Sequence, residues 1–448
     1  MRSKNLRKIK YSLTRNERGV ALLMAIFTSV LVAAISMELL EETQVEYLSS
    51  SQNINQVKAY YAAKSGAELA LLRILIYKKA RALAGDSLGQ QGHVLDKVWS
   101  FPFIWPPILP PEATLVDKQL LNDTIKESYI DVGISSRISS ESSKIDVNAL
   151  GSKSKILAKH TRELLLKLFQ NRMDNNEEFG RRFRGYNFET LVNHLTDWVD
   201  EDNESKNGGD ERSYYRDLDG DTIPPNQPFK TLPELHMVEE MTDELYDVLE
   251  PNITIYGVAG INVNQASKQV LMLIDKGIDE KIADEIIKHI KDEKDGGPFA
   301  KLEDFFEFLQ KQGLTLDLEK QKKEGAPLIF DEPLNFRVVS TATVGQTSRE
   351  IVAITYDFDR VKKRLAELIA KDNEGSGQNG ENSQLEQKCK DKKDEEKFNC
   401  LCAEKTEQTE KQQCIDEARK KAEATKEQEK KKNEPPKGKP TVVYWSEK

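Results

Sequence analysis

Hydrophobic and polar positions change their rhythm three times along the chain. No residue from Val20 to Met37 is charged. A helix over that span is about 27 Å long, close to the roughly 30 Å apolar thickness of a bilayer. Before it, Arg2, Lys4, Arg7, Lys8, Lys10, Arg15 and Arg18 are opposed only by Glu17. This excess predicts a cytoplasmic leader and export of the rest. A signal anchor or secretory signal peptide has the same outline, but no good small-x-small cleavage site follows the apolar run. Beyond Glu38, Tyr60, Ala63, Ala67, Ala70 and Leu71 recur at helical spacing, so one face can pack on a domain. With no proline before Pro102, the pattern predicts one helix from Val20 to about Lys79.

The rhythm then changes. The prolines of Trp99–Pro111 exclude helix and predict an extended loop held to its own core by aromatic side chains, in preference to a partner-groove ligand. Loose alternation over Tyr129–Ile138 predicts a strand, and Lys144–Asn148 a short edge strand. Far downstream, Asn335–Val344 and Ser348–Tyr356 flank Gly345-Gln346 and predict a β-hairpin. Strands before 148 and after 334 bracket a mainly helical block, so the expected class is α+β: a long N-terminal helix on a small antiparallel sheet, interrupted by a helical insertion. Within the block, Ile145-Asp146-Val147-Asn148-Ala149-Leu150 is echoed by Ile261-Asn262-Val263-Asn264-Gln265-Ala266, each followed by helical sequence.

The junction Glu17-Arg18-Gly19 followed by an apolar run resembles the leader of type IV pilins and pseudopilins. That resemblance implies cleavage by a prepilin peptidase between Gly19 and Val20, methylation, and retention of Val20–Met37 as inner-membrane anchor and assembly helix. Most such proteins carry Glu at the fifth mature position, where this chain has Met24. A carboxylate in a bilayer needs a partner; in the family that partner is a neighbouring subunit's amino terminus. Its loss marks a subunit at the filament tip.

Gly260–Ser267 through Gly296–Phe305 also resembles the helix-hairpin-helix domain of DNA-uptake proteins, whose glycine turn offers N–H groups to phosphate. Here the turn is Lys276-Gly277-Ile278-Asp279-Glu280, and its two carboxylates oppose a polyanion. Between the repeats lie Asp197-Trp198-Val199-Asp200-Glu201-Asp202, Gly208-Gly209-Asp210-Glu211, Tyr214-Tyr215, Asn226-Gln227-Pro228 and Glu234-Leu235. Together with the leader, this set resembles the minor pseudopilin K family of type II secretion over about residues 15–358. Arg212 departs from it, standing where the family often has an acidic pair directly before Ser-Tyr-Tyr.

Membership implies a non-enzymatic subunit that caps or initiates the pseudopilus with the minor pseudopilins I and J, and H as a further candidate, on the major pseudopilin. It also implies a calcium site, for which Asp197, Asp200, Asp202, Asp210 and Glu211 are the expected ligands. Calcium takes roughly six to eight oxygens in irregular geometry; the alternative is a solvated acidic loop. Asp217–Asp221 is a second oxygen-rich turn. The implied partition is leader 1–19, membrane helix 20–37, periplasmic helix 38–88, first part of a pilin-like sheet 89–148, helical insertion of two SAM-like or helix-hairpin-helix-like units 149–330, final hairpin 331–360, and tail 361–448. The other readings are a helix-hairpin-helix DNA-uptake protein and a type IV pilus minor pilin.

Composition alters this picture little. Lys+Arg of 66 against Asp+Glu of 75 gives a net charge of −9, unlike a nucleic-acid binder. The five histidines are scattered and no nucleophile elbow, P-loop or dinucleotide fingerprint occurs, which leaves catalysis without support. From about Lys371 the chain turns rich in Lys, Glu and Gln, with a linker-like Asn373–Gly377 and a composition that favours disorder. All four cysteines, Cys389, Cys400, Cys402 and Cys414, lie there. In a periplasmic tail they permit disulfides, with three possible pairings; a metal site fits less well because no histidine accompanies them.

Overall fold

The computed structural model describes residues 17–84, 94–110, 112, 114–215, 224–292, 296–325, 327–375, 415 and 439–448. Residues 1–16 of the expected leader, the Asp217–Asp221 turn and the four cysteines lie outside them. Helix α1 (Glu17–Ala84) is continuous, so the apolar segment and the packing segment form one rod about 100 Å long. It is long and apolar enough to cross a membrane, and the described residues bury none of its apolar stretch.

The distal half of α1 packs on the sheet through a stripe of small residues. Ala59, Ala63, Ala67 and Ala70, then Ile74 and Tyr77, are fully buried. Their spacing of three and four places them on one face. Gly66 sets the closest approach: a Cβ there would lie 2.3 Å from Ser340 Oγ and 2.9 Å from Ile134 Cγ2, and its carbonyl accepts from Ser136 Oγ at 3.2 Å.

After α1 come α2 (Lys97–Ser100), β1 (Phe103–Trp105), α3 (Leu115–Ser128) and β2 (Gly133–Ser140). Trp99 lies in α2, not in the extended run expected to begin there, but it pins the segment to the core: it meets Tyr77 and Phe336 edge-on at 6.3 and 5.2 Å. Arg73 of α1 donates to the Val98 and Trp99 carbonyls at 2.9 and 3.2 Å. Helix α3 has a Thr114/Asp117 capping box and buries no residue.

Strand β3 (Ile145–Asp146) corrects the expectation for Lys144–Asn148. It is not an edge of the pilin-like sheet but pairs in parallel with β4 (Ile253–Thr254) inside the insertion. Ile145 is fully buried in the helical core, a site an edge strand of the main sheet does not offer.

The insertion contains α4 (Lys155–Asn175), α5 (Glu177–Arg182), α6 (Phe188–Val199), α7 (Asp243–Leu249), β5 (Ile261–Asn262), α8 (Lys268–Ile274), α9 (Glu280–Lys291), α10 (Leu302–Lys311), α11 (Leu318–Glu324) and β6 (Leu328–Ile329). One hydrophobic cluster runs through all of it, from Ile145 and Phe169 to Ile286 and Phe305. The sequence echo is a structural one. Asn148 Nδ2 donates to the carbonyls of Phe229 and Ile255 while its Oδ1 accepts from Phe229 N. Asn264 does the same with Phe299 and Phe330. β5 pairs in parallel with β6 as β3 does with β4. In each copy a serine then caps the following helix, Ser154 for α4 and Ser267 for α8.

The hairpin forms as expected from β7 (Phe336–Val344) and β8 (Thr347–Thr355). Helix α12 (Phe358–Gly375) then packs Leu365 and Leu368 against Ala149, Leu157 and Ala259. The chain ends in β9 (Val442–Glu447), which pairs with β8. The antiparallel sheet therefore has the order β1-β2-β7-β8-β9. Both elements depart from the expected low-complexity tail. Residues 358–375 retain an apolar stripe, and Val442-Val443-Tyr444-Trp445 is strand-forming sequence within a charged surrounding.

The contacts fix heights along the stem. Gly345, at the hairpin turn, approaches Asn55, and Arg349 donates to Gln56 at 3.2 Å. At the other end of the sheet, Phe336 meets Tyr77 at 6.1 Å, and Lys78 and Arg81 bind Asp357 and Glu332 at 3.0 Å each. The insertion leaves from this second end, about 33 Å further from the apolar segment along α1. A buried lock joins the two bodies there: Glu141, wholly enclosed, accepts from Arg337 of β7 and, at 2.5 Å, from Thr254 Oγ1 of β4.

Candidate metal centre

Helix α6 starts on the Asn187 cap and has a strongly one-sided apolar face. That face seats Trp198 flat on Phe229, with centroids 5.6 Å apart, and so directs Asp197 and Asp200 into the loop that follows. Gly151 permits this docking, since a Cβ there would lie 2.7 Å from the Val199 carbonyl. The loop folds back through Gly208 and Gly209, whose φ values of 95° and 85° suit glycine. Ser205 N donates to Gly209 O at 3.0 Å and Gly208 N to Ser205 O at 2.8 Å. The return leads into a 3-10 turn, Glu211–Tyr214, capped by Asp210 through Arg212 N at 3.0 Å. Tyr214 locks it by donating to Gly208 O at 3.0 Å.

Three of the five expected ligands converge. Asp197, Asp200 and Glu211 each bring a carboxylate oxygen to within 4.8 Å of the others. Asp197 is committed on both oxygens, accepting from Ser205 Oγ at 2.6 Å and Lys206 N at 2.9 Å. Asp200 Oδ2 lies 2.8 Å from Lys206 Nζ. Its Oδ1, and both oxygens of Glu211, are buried without a well-directed hydrogen-bond partner among the described residues. Glu211 is only 1% exposed, and a buried, unsatisfied carboxylate is costly unless neutralised. Burial, then the charges of Asp197 and Asp200, push Glu211 up to about 7, with Asn226 opposing. Burial also raises Asp200, against the pull of Lys206.

The other two expected ligands stand apart from this cluster. Asp202 is exposed, accepts from Glu204 N at 2.9 Å and pairs with Lys206 Nζ at 3.2 Å. Asp210 is spent on its cap. The structure adds groups that the acidic pattern does not reveal. Lys206 places a cation at the mouth of the cluster, and Asn226 ties the loop through the Asp202 carbonyl. Beside it, His194 is buried and held below its ordinary pKa by that burial; it meets Tyr214 edge-on at 4.8 Å.

The second candidate, the turn between α8 and α9, has hairpin geometry. Asp275 Oδ1 accepts from Gly277 N at 2.8 Å, and Asp279 Oδ1 accepts from Ile282 N at 2.8 Å. The Asp279 carboxylate thus occupies the helix N-terminus, where a phosphate would have to bind.

Residues 143–258 match the family model described as type II secretion system (T2SS), protein K. Among solved structures, one similar chain comes from the GspK-GspI-GspJ complex of the enterotoxigenic Escherichia coli type 2 secretion system. It is 17% identical, with a TM-score of 0.47, over 69% of this chain and 94% of that one. A search of the curated proteins finds no match. Over residues 143–258, the chain carries a type II secretion system protein K domain.

Proposed function

We propose that this chain is a minor pseudopilin of type II secretion, a non-enzymatic subunit that caps or initiates the pseudopilus. The observation that carries this reading is the position of the protein K domain. It is inserted at the end of the sheet furthest from the apolar segment, over Tyr77 rather than Asn55. A helical body there leaves no room for another subunit above the stem. Met24, exposed within the apolar run, supports a subunit that does not offer a carboxylate to a following amino terminus. The expected partners are the minor pseudopilins I and J, with H as a further candidate, the major pseudopilin below and the inner membrane around Val20–Met37. Cleavage by prepilin peptidase between Gly19 and Val20, and methylation there, complete the assignment. The duplicated Asn148 and Asn264 clamps support a common origin for two SAM-like units. The Asp279 cap weighs against the DNA-uptake reading.

The metal reading also belongs here. Orphaned oxygens on Asp200 and Glu211 beside Asp197 fit a hard cation, so calcium would be held by Asp197, Asp200 and Glu211. It would supply the positive charge these carboxylates lack. Asp202 and Asp210 would act through the loop's shape.

The test is affinity capture of the full-length protein from membranes, with sequencing of its mature terminus. The expected result is a terminus at Val20 and co-recovery of other pseudopilins. A different terminus, together with recovery of DNA, overturns the reading.

A further inference from the structure

Strand β9 completes a ladder yet scarcely enters the core. It runs antiparallel to β8 from Ile351↔Glu447 to Thr355↔Val442. Flanking bonds extend it: Lys448 N to Glu350 O at 2.9 Å, Glu350 N to Lys448 O at 3.0 Å, and Tyr356 N to Thr441 O at 3.0 Å. No residue of β9 is buried, whereas Ile351 through Thr355 of β8 all are. The side-chain anchors are few. Trp445 rests on the edge of the stem–sheet core. Glu447 Oε1 accepts from Tyr60 Oη at 3.1 Å and Trp445 Nε1 at 2.8 Å. Lys439 pairs with Glu68 at 2.6 Å. On the opposite face, Tyr444 meets Tyr256 of the insertion at 6.4 Å.

Such an interface is mostly main chain, the currency of strand addition, with alternate side-chain slots for specificity. The edge it covers reads Glu350-Ile351-Val352-Ala353-Ile354-Thr355, and a bare β-branched edge invites pairing with another chain. We propose that the β8 edge, with the Tyr60–Glu68 face of α1, is an acceptor groove for an extended peptide. Its ligand has an aromatic residue over the stem and an acid two positions later. The chain keeps the groove filled with its own C-terminal strand, which bars strand addition by a second copy. Covalent attachment makes this pairing intramolecular and so dominant over exchange between copies.

The experiment uses the full-length protein in detergent, with a protease site placed within residues 376–438. After cleavage, the fragment carrying Lys439–Lys448 should co-elute with the body. Excess fluorescent Lys439–Lys448 peptide should displace it saturably. The same peptide carrying Trp445→Ala should compete at least tenfold less well. Once the fragment is washed out, light scattering should show dimers that revert to monomer when peptide is restored. Failure of the labelled peptide to bind, or equal competition by the Trp445→Ala peptide, overturns the acceptor groove. A stripped body that stays monomeric overturns the barrier to self-pairing. Because the cut is made after folding, neither result can come from a chain that failed to fold.

Discussion

Replacing Glu211 by Gln should stabilise the protein in chelator and abolish its response to calcium. The carboxylate is buried beside two others, with neither oxygen well bonded among the described residues. Its folded pKa of about 7, against 4.5 for the free group, is worth up to about 3 kcal/mol at ~1.4 kcal/mol per pH unit. Asp200 and Lys206 beside it are partly exposed, so solvent screens part of this and about 2 kcal/mol remains. The sign follows from the direction of the shift. Folding favours the protonated acid, so metal-free stability is greatest below pH 4.5 and falls until pH rises past about 7. Gln removes that loss and keeps the shape. At roughly 2–4 °C per kcal/mol for a body of this size, the variant should melt about 4–8 °C higher at pH 8 in chelator, and equally at pH 4.5. Calcium at a hundredfold excess over its Kd should add about 2.7 kcal/mol to the native protein and nothing to the variant. Thermal melts of the full-length protein in detergent, at both pH values, check this. A variant that melts lower than native in chelator at pH 8, or that still responds to calcium, refutes the reasoning.

Three further outcomes follow from packing and chemistry. Gly66→Val should lower stability by about 3 kcal/mol or more, because its Cβ would meet Ser340 and Ile134; chemical denaturation measures it, and Gly66→Ala should cost less. Arg337→Met should cost about 3–5 kcal/mol by leaving the Glu141 charge buried with no cation and only the Thr254 hydroxyl as partner, whereas the double variant with Glu141→Gln should recover part of the loss. Calcium affinity should weaken as pH falls through about 7, where Glu211 takes up the proton that competes with metal; titration calorimetry at pH 6 and 8 reads it.

The stem and hairpin were legible because each repeats one periodicity without interruption: spacing of three and four from Ala59 to Tyr77, and alternation from Phe336 to Val344. The Asn148 and Asn264 echo was visible as sequence, and its meaning as a pair of carbonyl clamps needed the partners Phe229 and Phe299. β3 was misplaced because its partner, β4, lies over a hundred residues away and two-residue pairing leaves no local trace. β9 was lost in the composition around it, although Val442–Trp445 carries a strand signal when read alone. In the acidic loop, residue type nominated five ligands, and the structure brings three of them together. Asp202 and Asp210 are spent on local backbone N–H groups, a distinction invisible to spacing. Lys206 gave no sign of turning inward.

On the proposed function, the helical domain closes the distal end of a filament. Gold labelling of the unmodified protein on pseudopili tests it most directly. Label should appear only at the end distal to the inner membrane, with few copies per filament. Label spaced along the shaft would contradict it.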